Sequence, residues 1–209
     1  MIEELKKFAP DIKGDYTELA TAITDTLTKF DINTPRRIRY FLTQAYVETA
    51  GFTKFVEDLY YSSASRIVEV WPSRFTLDKT STSKALAYDY VKDSKKLGCF
   101  VYANRNGNGN IASEEGWIYR GMGGFGLTGK SNYAKCSEAV YGDNRLVTSP
   151  ELVQAYEAGL LSAGWFWSSR ELNELADKDE FSKVTEIING STATVPARLK
   201  VLNIANTIF

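Results

Sequence analysis

The chain holds 209 residues, 44% of them hydrophobic and 24% charged, enough apolar material for one domain with a sizeable core. Its 25 basic and 26 acidic side chains nearly cancel, so it carries neither the basic footprint of a nucleic-acid partner nor a polybasic membrane anchor. No histidine occurs, which removes Ser/His/Asp and Cys/His triads and every histidine metal site, and leaves acid/base work to carboxylates, Lys, Tyr or Cys.

In chain order, Glu3, Glu4, Lys6 and Lys7 interrupt the first apolar stretch. Residues 1–8 therefore read as an amphipathic helix rather than a secretory signal, and the protein is expected to accumulate in the cytoplasm that makes it. No span approaches the ~18 apolar residues of a transmembrane helix. Helical spacing predicts helices over 15–30, 35–50, 62–70, 84–91, 150–168, 181–189 and 196–208. Thr34-Pro35 is a cap and first-turn pair, and Ser149-Pro150-Glu151 repeats that signature. Residues 104–129 interrupt the pattern. Gly116, Gly121, Gly123, Gly124, Gly126 and Gly129 crowd one short stretch, and glycine costs about 1 kcal/mol relative to alanine in a helix. That segment reads as irregular backbone or short strand, and a long ordered loop inside a domain is more often functional than not. Cys99 and Cys136 are too few for a disulfide framework and lack zinc spacing, so two buried or half-buried free thiols are expected. The fold class is mainly α with a small β element, in a single domain over 1–209.

Within the 35–50 helix, Ile38, Phe41, Leu42, Ala45 and Tyr46 follow the three-four rhythm of a buried face, and Glu48 falls on the same stripe. A carboxyl group aimed inward there is desolvated and has its pKa raised, the condition for donating a proton near neutral pH. The bland alternative is a structural ion pair with an arginine such as Arg39 or Arg120. Glu57 is the natural second carboxylate. On an unbroken helix it would lie about 13.5 Å from Glu48 on the opposite face. The helix must therefore stop, and Ala50-Gly51 supplies the stop. A fold-back across a cleft to a gap of about 6.5–9.5 Å would admit a water and imply inversion at the anomeric carbon. Asp58 is an equal candidate on these grounds.

Several motifs together carry a resemblance. They are Phe41-Leu42-Thr43-Gln44-Ala45-Tyr46-Val47-Glu48-Thr49-Ala50-Gly51-Phe52, Glu57-Asp58-Leu59-Tyr60-Tyr61-Ser62, Trp71-Pro72-Ser73-Arg74-Phe75, Gly116-Trp117-Ile118-Tyr119-Arg120-Gly121, Leu127-Thr128-Gly129-Lys130-Ser131-Asn132-Tyr133 and Ile187-Ile188-Asn189-Gly190. In this order, over residues 30–198, the chain resembles glycoside hydrolase family 19, and within it the compact phage-endolysin branch rather than the plant chitinases. The resemblance implies a lysozyme-like fold of two helical lobes flanking a cleft. It implies Glu48 as general acid, Glu57 as general base and Thr128 as a holder of the nucleophilic water. Asn132 and Asn189 would bond the sugar, and Trp117 and Tyr119 are candidates for sugar contacts, with wall packing as their alternative. No metal or cofactor is implied. The expected partner is peptidoglycan glycan, met by a monomer without nucleic acid, membrane insertion or a separate wall-binding domain.

Three positions depart from the family pattern. Val47 stands where a His is common, and Met122 and Gly126 stand where an Arg and a Gln are usual. The missing Gln removes a substrate hydrogen bond, worth about 1–3 kcal/mol if its partner is left buried. These departures motivate the rival expectation of a sugar-binding or virion structural protein on the same scaffold. Chitin hydrolysis is a third reading.

Overall fold

The computed structural model describes residues 1–209. Twelve α-helices dominate: α1 Ile2–Phe8, α2 Tyr16–Lys29, α3 Pro35–Glu48, α4 Ala64–Val70, α5 Ser94–Val101, α6 Glu115–Ile118, α7 Lys130–Tyr141, α8 Arg145–Thr148, α9 Tyr156–Ser169, α10 Leu172–Asp177, α11 Phe181–Asn189 and α12 Val195–Ile208. The β element is two parallel two-residue strands, β1 Phe75–Thr76 and β2 Ala85–Leu86. No helix is long and apolar enough to cross a membrane.

The chain forms two compact units. The first comprises Met1–Val56, Gly121–Leu127 and Tyr133–Phe209, and the second Glu57–Arg120 and Thr128–Asn132. In the first, α2 starts at Asp15, whose side chain accepts from the Thr17 amide at 2.7 Å, and satisfies a donor that the helix itself cannot. Its apolar face packs on α9, where Gly164 allows the close approach: a Cβ there would stand 2.3 Å from the Phe30 ring. Phe41 of α3 sits fully buried, edge-on to Trp167 at 5.5 Å and to Phe125 at 5.6 Å. Aromatic pairs in this arrangement add about 0.5–1.5 kcal/mol beyond the area they bury. In the second unit, Phe75, Tyr90 and Phe100 meet edge-on or tilted with centroids 5.0 and 5.1 Å apart, in one cluster with buried Ile67, Leu97 and Val101.

Several expected elements take a different form. Residues 84–91 are not an α-helix. The Ala85 amide bonds the Arg74 carbonyl at 3.0 Å, which draws Ala85 and Leu86 into β2, and only a 3-10 turn over Ala87–Tyr90 follows. The expected 150–168 helix is two pieces, a 3-10 turn Pro150–Gln154 and α9, separated by extended Ala155 at ψ 157°. Val153 is fully buried before that break and Ala158 nearly so after it, so the apolar rhythm runs through the break. Helix α11 matches its predicted span. Both cysteines are free and buried, and burial pushes the Cys136 thiol up to about 12.

Candidate active site

Candidate residues occur in each of the two units. In the first, Thr34 caps α3 by accepting from the Arg37 amide at 3.3 Å, and Pro35 occupies the first turn, so the helix runs rigidly to Glu48. It stops there as expected. Ala50, Gly51 and Phe52 all take positive φ, at 48°, 75° and 60°. Glycine adopts this conformation freely, whereas Ala50 and Phe52 must be held in it. Phe52 is held by complete burial, its ring 6.0 Å from Tyr46 and 6.4 Å from Phe8. Thr49 secures the stop, since its hydroxyl donates to the Ala45 carbonyl at 2.6 Å and accepts from the Phe52 amide at 2.9 Å. The last residue of α3 is thereby fixed in place and direction.

The surroundings of Glu48 correct the expectation of an apolar, desolvating pocket. Its side chain is 26% exposed, and the carboxylate is met by a guanidinium. That guanidinium belongs to neither Arg39 nor Arg120. Arg39 bonds Asn206 at 3.3 Å, and Arg120 lies over the Trp117 ring at 3.9 Å. The partner is Arg198 of α12, itself only 2% exposed. All three of its nitrogens are engaged: Nη2 donates to Glu48 Oε1, Nη1 to Gln44 Oε1, and Nε to Thr194 Oγ1 at 3.1 Å. Gln44 in turn donates from Nε2 to Thr185 Oγ1 at 2.9 Å. The pair fixes one carboxylate oxygen and leaves Oε2 uncommitted at the surface end of α3.

Arg198 is a neighbour of the candidate acid that the sequence reading does not name. A signal existed: Arg198, Leu202 and Ala205 are buried together at four- and three-residue spacing, so a cation stood on the buried stripe of the last helix. A buried cation needs a partner, and Glu48 is the only carboxylate it meets. The other candidate in this unit, Asn189, is exposed at the end of α11 and donates to the Ser191 carbonyl at 3.2 Å, beside Gly190 at φ 74°.

In the second unit, Glu57 is half-buried and its Oε2 accepts from the Tyr102 hydroxyl at 2.8 Å. Tyr102 is the second missed residue. Burial, then the nearby Glu57 charge and this bond, push its phenol far above its ordinary value, so it stays a donor. Asp58, equal to Glu57 on sequence, is exposed and accepts from the Tyr60 amide two residues on at 2.9 Å, a local turn bond. Were Glu57 the general base that the resemblance implies, Tyr102→Phe would be expected to lower kcat about 10-fold, since a hydrogen bond to a charged group is worth about 1.5 kcal/mol. Steady-state kinetics on soluble glycan fragments check this; unchanged kcat would detach Tyr102 from the work of Glu57.

The parts of the glycine-rich segment on either side of Gly121–Leu127 belong to the second unit and hold its other candidates. Asn108 is 7% exposed and ties two ends together, donating to the Tyr102 carbonyl at 3.0 Å and accepting from the Lys130 amide at 2.8 Å. Gly129 is required where it stands: its φ is 90°, and a Cβ would lie 2.3 Å from Asn106 Cβ. Its amide bonds the Tyr119 carbonyl at 2.8 Å, and Asn132 Nδ2 bonds the Thr128 carbonyl at 2.8 Å. Thr128, Asn132 and Tyr119 are thus brought together. Tyr119 is only 6% exposed, which favours the wall-packing alternative for its ring. Trp117 is half-buried under Arg120.

Comparison with known proteins gives a consistent picture. No family model matches the chain. A Haemophilus influenzae (strain ATCC 51907 / DSM 11121 / KW20 / Rd) protein named as a glycosyl hydrolase family 19 domain-containing protein is 30% identical over 206 residues, 96% of this chain and 93% of its own length. Among solved structures, chitinase C from Streptomyces griseus HUT6037 aligns with a TM-score of 0.61 at 17% identity, over all of this chain and 91% of its own. A bacterial family 19 chitinase aligns at 0.62 and 17%, over all of this chain and 94% of its own. At that identity the two structures show the fold, which is mainly helical and lysozyme-like.

Proposed function

The chain belongs to glycoside hydrolase family 19, and from that premise we propose that it is an endolysin. It hydrolyses the β-1,4 bond between N-acetylmuramic acid and N-acetylglucosamine in bacterial peptidoglycan. The enzyme is held in the host cytoplasm until a holin opens the inner membrane, and then acts on the wall as a monomer.

The observation that carries the reading is the carboxylate at the end of α3, with Oε1 held by a buried arginine and Oε2 free to act. Glu48, in the form that carries a proton on the uncommitted Oε2, donates it to the glycosidic oxygen as the C1–O bond breaks, and Arg198 stabilises the carboxylate left behind. Glu57, oriented by Tyr102, takes a proton from the water whose oxygen attacks C1 from the opposite face, with Thr128 helping to hold that water. Asn132 and Asn189 bond the sugar, and Trp117 offers ring contact.

The endolysin-like motifs support a muramic acid substrate.

The test is purified protein on peptidoglycan and, in parallel, on chitin, with the new reducing-end sugar identified. N-acetylmuramic acid ends from peptidoglycan are expected. Turnover of chitin alone would make the protein a chitinase, and no turnover of either would make it a sugar-binding scaffold.

A further inference from the structure

We infer that Gln44 and Thr185 are positioning residues, holding Arg198 in the one orientation that presents Glu48. The inference rests on reading Glu48 as the proton donor.

Gln44 and Thr185 are both fully buried. A buried carboxamide is costly unless its amide and carbonyl are both bonded. Here they are bonded to opposite ends of one chain of contacts. Arginine offers only donors, so only the Gln44 oxygen can face Nη1; the Gln44 nitrogen then needs an acceptor behind it. Thr185 supplies that acceptor from α11, at 2.9 Å. The threonine therefore sets which way round the amide sits, and the amide sets the plane of the guanidinium.

Gln44 and Glu48 stand four residues apart on α3 and so share a face. One planar guanidinium spans them, Nη1 on Gln44 and Nη2 on Glu48. Rotation of Arg198 off the Gln44 oxygen would turn Nη2 away from the carboxylate. The neutrality of Gln44 also matters, because a carboxylate at that position would divide the guanidinium between two anions. With an amide there, Glu48 remains the sole carboxylate on Arg198.

The experiment uses Gln44→Met, Gln44→Glu and Thr185→Val in the full chain, with kcat, KM and melting temperature measured for each. Misplacement on the scale of 1 Å can cost about 10²-fold, so Gln44→Met is expected to lower kcat by about 10–100-fold with KM held within about twofold. Thr185→Val should lower kcat by about 3–10-fold on the same grounds, and should have no further effect in the Gln44→Met background. Gln44→Glu should melt near wild type yet stay slow, a split that a merely structural role does not produce. Values of kcat within twofold of wild type, or losses that follow only the fraction folded, would overturn the inference. If Gln44→Met fails to fold, the near-isosteric Thr185→Val decides alone. An inactive wild type, or an active Glu48→Gln, overturns the reading of Glu48 and this inference with it. An active wild type with a dead Glu48→Gln and normal Gln44 and Thr185 variants overturns the inference alone.

Discussion

Glu48→Gln is expected to abolish turnover and, at the same time, to lower the melting temperature. The first effect follows from chemistry: an amide has no proton to give near neutral pH, and a positioned general acid is worth about 10²–10⁴-fold in rate. The second follows from Arg198. At 2% exposure, that guanidinium has Glu48 as its one carboxylate partner. The amide oxygen of the variant can still accept the Nη2 hydrogen bond but carries no charge, a loss of about 1–3 kcal/mol. Glycan hydrolysis and a thermal melt on the same preparation check both halves. Residual turnover within tenfold of wild type would remove Glu48 from the acid role. An unchanged melt would mean that the ion pair contributes nothing to the fold.

The largest effect on stability is expected from Arg198→Ala. Removing the cation strands Glu48 and leaves the buried Gln44 carbonyl without its donor, and breaking a buried pair in this way costs about 3–5 kcal/mol. For a chain of this size each kcal/mol moves the midpoint by about 2–4 °C, so a fall of roughly 6–20 °C is expected. Arg198→Lys should recover only part of it. A single ammonium cannot reproduce a planar fork that bonds Thr194, Gln44 and Glu48 through three different nitrogens. A midpoint within about 2 °C of wild type for Arg198→Ala would contradict the account of the network, given that scaling.

What the sequence disclosed and what it hid divide along physical lines. The stop of α3 was legible because its causes are local: Thr34 and Pro35 at one end, Ala50 and Gly51 at the other. Helix α11 was legible for the same reason, with Gly190 at its C-terminus in the left-handed region. Helix α5 was missed although a local sign was present, since Asp93 accepts from the Lys96 amide at 2.9 Å in the usual capping pattern. The two halves of 150–168 could not be told apart from periodicity, because Val153 and Ala158 keep the apolar rhythm across an extended Ala155. The site shows the same division. Glu48 and Glu57 could be picked out by helix register and motif, but their partners could not. Arg198 lies 150 positions from Glu48 and Tyr102 lies 45 from Glu57, contacts that only the folded chain makes. Missing Arg198 also led to the expectation of an apolar pocket around Glu48, because the helix stripe predicts the neighbours of Ala45 and says nothing of what α12 brings to its end.

The central claim is that Glu48 and Glu57 act as acid and base in a single displacement by water. The most direct measurement is the anomeric configuration of the first product, read by NMR within seconds of adding enzyme to a soluble β-1,4 glycan and before mutarotation. A single displacement predicts the α-anomer at the new reducing end. The β-anomer appearing first would mean two displacements through a covalent intermediate, and would contradict the roles assigned to both carboxylates.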